Sequence, residues 1–202
     1  MIVKVCGITD EQDARAAMEA GANALGFNFW PRSPRYLTPD AASQFVSRLP
    51  GVLKVGVFVD SSAIEIAEIA DSVGLDVVQL HGAAVPPEGV RFWRAVAVRA
   101  GFDSASLVED GAEAFLLDAP AGTLRGGTGS TFDWSLVGAA PRKIIVAGGL
   151  DSSNVALAIS TARPWGVDAC SRLESAPGKK DNAKVAAFCA AALAAAAAQS
   201  IS

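Results

Sequence analysis

Short apolar runs alternate along this chain with longer stretches in which apolar residues return every three or four positions. The runs are Ile2–Cys6, Ala24–Phe29, Leu53–Val59, Asp76–Leu80, Phe92–Val98, Ala114–Leu117, Lys143–Ala147 and Gly166–Ala169. Their length and near-continuous apolar character predict strands buried on both faces. The longer spacing predicts helices over Asp10–Glu19, with Thr9 or Asp10 as N-cap, and over Ala41–Leu49, Ala63–Val73, Ser153–Thr161 and Ala183–Gln199. A weak helical pattern covers Ala84–Gly89 and a short one Trp134–Val137, while Pro31, Pro34 and Pro39 interrupt the chain after the second strand. Strands that alternate with helices point to a parallel sheet, and a count of eight favours a closed (β/α)₈ barrel over an open doubly wound sheet. No Gly-rich turn after the first strand has the dinucleotide-binding spacing, which weakens the open-sheet reading further. No linker interrupts the pattern, so residues 1–202 are expected to form one barrel domain.

Strand parity sharpens this picture. In the first strand Val3 and Val5 would face the helices, while Lys4 and Cys6 would face the barrel interior. A lysine inside a barrel is costly unless paired. Strand eight neighbours strand one in a closed barrel, and its parity turns Asp168 inward, so an interior Lys4–Asp168 ion pair is expected. Barrels of this kind carry their chemistry at the carboxyl ends of the strands, with phosphate often held by the loops after strands seven and eight. Those places carry Cys6, Asn28, His81, Asp118, Gly148, Gly149, Asp168 and Ser171.

Composition narrows the function classes. With 51% hydrophobic and 19% charged residues the chain is globular, and a net charge of −4 argues against nucleic acid or an anionic membrane as partner. The three cysteines, Cys6, Cys170 and Cys189, lie far apart without metal-ligand spacing, which suggests a reducing compartment. Met1 leads straight into a strand-like run, so no signal peptide is expected. The apolar tail Val185–Ala198 holds 14 residues, too few to span a bilayer. It reads as a packed helix with Val185, Phe188, Cys189 and Leu193 on one stripe, and cytoplasm is the expected location.

The candidate chemistry concentrates between Phe115 and Trp134. Asp118 ends an apolar run, and Gly126-Gly127-Thr128-Gly129 follows in a loop whose N–H groups can turn inward. By itself this reads equally as a site or as an ordinary strand exit. Cys6 alone reads as a small buried hydrophobe. Arg35 alone is a solvated arginine in a Pro-rich loop, and the Gly148-Gly149 pair a plain tight turn. His81 is the only histidine, which excludes a multi-histidine metal site.

Taken together, the motifs resemble the phosphoribosylanthranilate isomerase family. The matching pieces are Lys4-Val5-Cys6-Gly7-Ile8-Thr9, Ser33-Pro34-Arg35-Tyr36, Val57-Phe58-Val59, Gln79-Leu80-His81-Gly82, Leu116-Leu117-Asp118, Gly126-Gly127-Thr128-Gly129, Phe132-Asp133-Trp134, Ala147-Gly148-Gly149-Leu150 and Glu174-Ser175-Ala176-Pro177-Gly178. They fall in the family's order over nearly the whole chain. The resemblance implies an Amadori rearrangement of N-(5-phosphoribosyl)anthranilate in tryptophan biosynthesis. It makes Cys6 the general base, Asp118 the general acid and Arg35 the partner of the anthranilate carboxylate. His81 would line the mouth as a hydrogen-bonding residue. Gly127, Gly148, Gly149 and Ser171, with Arg172 at the rim, would hold the substrate and its phosphate. No cofactor or metal is implied, and a monomer or homodimer is expected. The chain departs from the family at Cys170-Ser171-Arg172, where Ser-Ser-Gly or Asn-Ser-Gly is usual. Arg172 is expected at negative φ, turned to solvent or to the phosphate rim. Other phosphate-binding barrel enzymes would share the glycines without the Cys6, Asp118 and Arg35 set. A catalytically silent barrel would lose one of that set.

Overall fold

In strand β1 (Ile2–Cys6) Val3 and Val5 pack outward into the main hydrophobic core, and Lys4 points inward, fully buried. The same alternation repeats in β2 (Ala24–Asn28), β3 (Leu53–Val59), β4 (Val77–His81), β5 (Phe92–Ala97), β6 (Ala114–Asp118), β7 (Ile144–Val146) and β8 (Gly166–Ala169). The computed structural model describes residues 1–99, 101–107, 110–119, 131–138, 140 and 142–199. All eight strands run parallel in chain order, and β8 closes on β1 with Lys4 opposite Asp168. The predicted closed barrel is therefore the observed fold.

Helices α1 (Glu11–Glu19), α2 (Pro39–Ser43), α3 (Ala63–Val73), α4 (Val155–Ala162) and α5 (Asn182–Gln199) lie outside the barrel. Asp10 is the cap of α1, accepting from Asp13 N at 2.8 Å, and Thr9 instead donates to Gly178 O. The helix expected over Ala41–Leu49 is divided. Pro39 starts α2 early behind the Thr38 cap, and Phe45 leaves helical geometry to pack edge-on against Phe27 before a 3₁₀ turn at Val46–Arg48. No helix forms over Ala84–Gly89, because Pro86 and Pro87 remove two N–H donors in succession.

In α5 the buried stripe is Val185, Phe188, Cys189 and Ala192, and it faces α1, α4 and β1. Leu193, expected on that stripe, is 42% exposed. The helix runs to 18 residues, starting one residue before the predicted Ala183–Gln199, and by length and mean hydropathy alone it would suffice to cross a membrane, which the 14-residue apolar tail would not. A two-stranded hairpin that strand patterning did not predict, β9 (Glu174–Ala176) and β10 (Lys179–Lys180), turns through Pro177-Gly178. It supplies charged side chains to the site.

Candidate active site

The strand ends surround an open cleft of about 880 Å³, counting the space at its mouth. Cys6, Asn28, His81, Asp118, Asp168, Gly148, Gly149 and Ser171 all line it, as strand-end parity requires. Arg35 and Arg172 line it from loops. Gly127 and the rest of the Gly126–Gly129 loop lie outside the described residues.

Cys6 is 8% exposed and sits beside the expected ion pair, in which Lys4 Nζ donates to Asp168 Oδ1 at 2.9 Å. A methyl group on Gly26 would lie 2.6 Å from Cys6 Sγ and 3.0 Å from Lys4 Nζ. Glycine in β2 therefore leaves the room in which thiol and ammonium meet. Burial works against the Lys4 charge, but Asp168 and then Cys6 outweigh it, so the lysine stays protonated. The Cys6 thiol is held well below the usual thiol range. A hydrogen bond from Cys170 is the largest cause, and Lys4 adds to it against the opposing effect of burial.

Asp118 moves the other way. Burial pushes its carboxyl up to about 6, with the Ala119 N–H pulling down and the negative charge of Cys6 pushing up. Gly148, at φ +83°, passes close under it, and a methyl group there would lie 2.7 Å from Asp118 Oδ1. The mouth thus holds a thiol biased toward its anion and a carboxyl biased toward its acid.

Arg35 is not free in the cleft. Its Nε and Nη2 donate to Glu174 Oε1 and Oε2, both at 2.8 Å, in a planar fork. Glu174 also accepts from Lys180 Nζ at 3.1 Å, and Lys184 Nζ donates to its carbonyl. Burial alone would raise the Glu174 carboxyl, yet Arg35 and Lys180 hold it below the usual range. Glu174 and Lys180 were missed as site residues, although Glu174 opens a motif that marks the family; their role appears only once the hairpin folds back.

His81 and Gln79 bring their Nε2 atoms to 2.8 Å. Gln79 was not anticipated as a site residue either, although it opens a motif that marks the family and its parity turns it inward.

After β7, Gly148 and Gly149 both take positive φ, and Asn154 ties the turn by donating to Gly149 O at 2.8 Å and accepting from Asp151 N at 2.9 Å. Ser171 and Arg172 form a 3₁₀ turn after β8, and Arg172 does not adopt positive φ. Its side chain is 44% exposed and donates to Asp151 Oδ2 at 2.9 Å, joining the two loops. The Arg172 guanidinium also offsets the one carboxylate of these loops that would repel an anion.

A family model described as N-(5'phosphoribosyl)anthranilate isomerase matches residues 3–191. The chain belongs to this family. An isomerase of that name from Solibacter usitatus is 53% identical over 191 residues, covering 93% of this chain and 95% of the relative. The crystal structure of the Thermotoga maritima family member superposes with a TM-score of 0.83 at 36% identity, covering 96% of this chain and 100% of that one. A further family structure holds reduced 1-(o-carboxyphenylamino)-1-deoxyribulose 5-phosphate and superposes at 0.80 with 34% identity, covering 96% of this chain and 100% of that one.

Proposed function

We propose that the cleft converts N-(5-phosphoribosyl)anthranilate to 1-(2-carboxyphenylamino)-1-deoxyribulose 5-phosphate, with Asp118 as general acid and Cys6 as general base. Family membership carries the reaction. The opposed protonation of Cys6 and Asp118 supports the assignment of roles.

Asp118 gives its proton to the ribose ring oxygen as the bond from that oxygen to the anomeric carbon breaks. The substrate nitrogen lone pair forms the iminium ion. The Cys6 thiolate then takes the proton from the neighbouring sugar carbon, and the released electron pair neutralises the iminium nitrogen. The resulting enaminol tautomerises to the ketone by gaining a proton at the former anomeric carbon and losing its hydroxyl proton. Lys4 keeps its charge beside the thiolate but is committed to Asp168, so it supports the base without competing for the proton. Arg35 presents Nη1, the guanidinium nitrogen that Glu174 does not take, to the anthranilate carboxylate. Gly148, Gly149 and Ser171 offer the phosphate backbone N–H groups and a hydroxyl, with Arg172 at the rim. The reaction needs no metal or organic cofactor.

The test is product formation from phosphoribosylanthranilate after dialysis against a chelator. Full turnover is expected, and absence of product from folded protein would sink the proposal.

A further inference from the structure

Glu174 opens β9, and its carboxylate meets Arg35 from the loop after β2. Residues 139 positions apart are thereby joined by two bonds of 2.8 Å. The fork takes Nε and Nη2, which form one edge of the planar guanidinium. The edge between Nη1 and the second hydrogen of Nη2 is left over, and it matches the two oxygens of another carboxylate. Arg35 lines the cleft, whereas Glu174 is not among the residues that line it.

The rest of the arginine is held as well. A methyl group on Gly7 would lie 2.8 Å from Arg35 Cδ, so the side chain runs directly over the tip of β1. A methyl group on Gly178, in the hairpin turn, would lie 3.1 Å from Pro34 O, so the turn is seated on the loop that carries Arg35. Thr9 fastens this turn by donating to Gly178 O at 2.6 Å.

Charge adds a second constraint. Arg35 and Glu174 alone would cancel. Lys180 from β10, with its side chain fully buried, donates to the same carboxylate at 3.1 Å and leaves the trio with a single positive charge. One positive charge behind one fixed edge suits one anion with two coplanar oxygens.

We propose that Glu174 is a positioning residue that sets specificity: its fork turns the open edge of Arg35 toward the ring carboxylate of the substrate, so the cleft prefers an ortho-carboxylated arylamine to a plain one. This rests on the reading of Arg35 as the partner of that carboxylate.

Two effects oppose each other when Glu174 is replaced. Loss of its negative charge strengthens the pull of the remaining cations on an anion, while loss of the fork lets the guanidinium rotate. Orientation is the larger effect, because hydrogen bonds weaken steeply off axis and water in the open mouth weakens the Coulomb pull. Glu174→Ala would strand two cations in the interior. Glu174→Gln combined with Lys180→Met avoids this, since it removes the fork and keeps the single positive charge. Glu174→Asp keeps every charge and only withdraws the carboxylate by one methylene.

The experiment measures, by calorimetry, the Kd of 1-(2-carboxyphenylamino)-1-deoxyribulose 5-phosphate and of its phenylamino counterpart without the carboxylate. The ratio of the two is the readout. In the double variant the preference for the carboxylate is expected to fall about tenfold, the scale of one lost hydrogen bond to a charged group. Glu174→Asp should lose less, in the same direction. A native ratio in either folded variant overturns the proposal, and so does an equal weakening of both compounds, which marks a merely structural role. A native protein that binds the two compounds alike would instead defeat the reading of Arg35, and the proposal with it. Binding needs no turnover, so a failure of catalysis alone leaves this ratio unaffected.

Discussion

Val77, Trp93, Ala114 and Ile145 fill the barrel interior near the amino ends of the strands, whereas Lys4, Gln79 and Asp168 occupy inward positions higher up. Gln79 is only one inward step beyond Val77. Another step along the same strands brings Cys6, His81, Asp118 and Cys170 to the mouth. The lower layer is held by packing, including Trp93 edge-on to Trp165 at 5.9 Å. Charges in the layer above are held by pairing, Lys4 with Asp168 at 2.9 Å. Parity decides which side chains face inward. Height along the strand decides whether an inward side chain packs or does chemistry.

This contrast breaks most visibly at the mouth. Cys6→Ala and Asp118→Asn should each lower turnover by about two to four orders of magnitude while circular dichroism stays native. Near-normal turnover in either folded variant would erase the distinction between the layers.

One step down, Lys4→Met leaves Asp168 buried without its partner and should cost about 3–5 kcal/mol of stability. Denaturant midpoints measure this, and adding Asp168→Leu should restore much of the loss. An unchanged midpoint in the single variant would show that the pair contributes nothing.

Asp118→Asn should also separate stability from activity. The folded carboxyl titrates at about 6 against an ordinary 3.8, so the native state binds this proton more tightly than the unfolded chain does. Stability from this group therefore falls as pH rises from about 4 to about 6, and the full cost persists above that range. Asparagine removes the cost. At neutral pH the inactive variant should be the more stable one, by at most about 3 kcal/mol and by less where water reaches the mouth. A lower melting temperature at pH 7 would contradict this.

Within the apolar plug, Ile145→Val should cost only about 0.5–1.5 kcal/mol and leave kcat/KM unchanged. A matching loss of activity would mean that plug and mouth are not independent.

Smallest of all, Arg172→Ala breaks a partly exposed pair with Asp151 and should cost under about 1 kcal/mol. A modest rise in KM would place the guanidinium at the phosphate. A fall in KM with Arg172→Gly alone would show instead that the side chain hinders the loop.

Sequence patterning by itself determined the barrel, its strand order and the facing of each strand, because apolar runs and a two-residue alternation are local properties of the chain. It also marked Cys6, Asp118, Arg35 and the Gly148-Gly149 pair, whose neighbours in sequence form family motifs. The Lys4–Asp168 pair was legible too, since closure of the barrel and parity leave a buried lysine few partners. Tertiary structure alone decided that Arg35 is clamped by Glu174, that Lys180 pairs with the same carboxylate and that Arg172 reaches Asp151. It also brought Cys170 into the same cleft as Cys6 and moved Asp118 and Cys6 in opposite directions. Those outcomes join residues as many as 164 positions apart, as Cys6 and Cys170 are, and they depend on burial and on distances of a few ångströms. Neither quantity exists until the last strand has closed on the first.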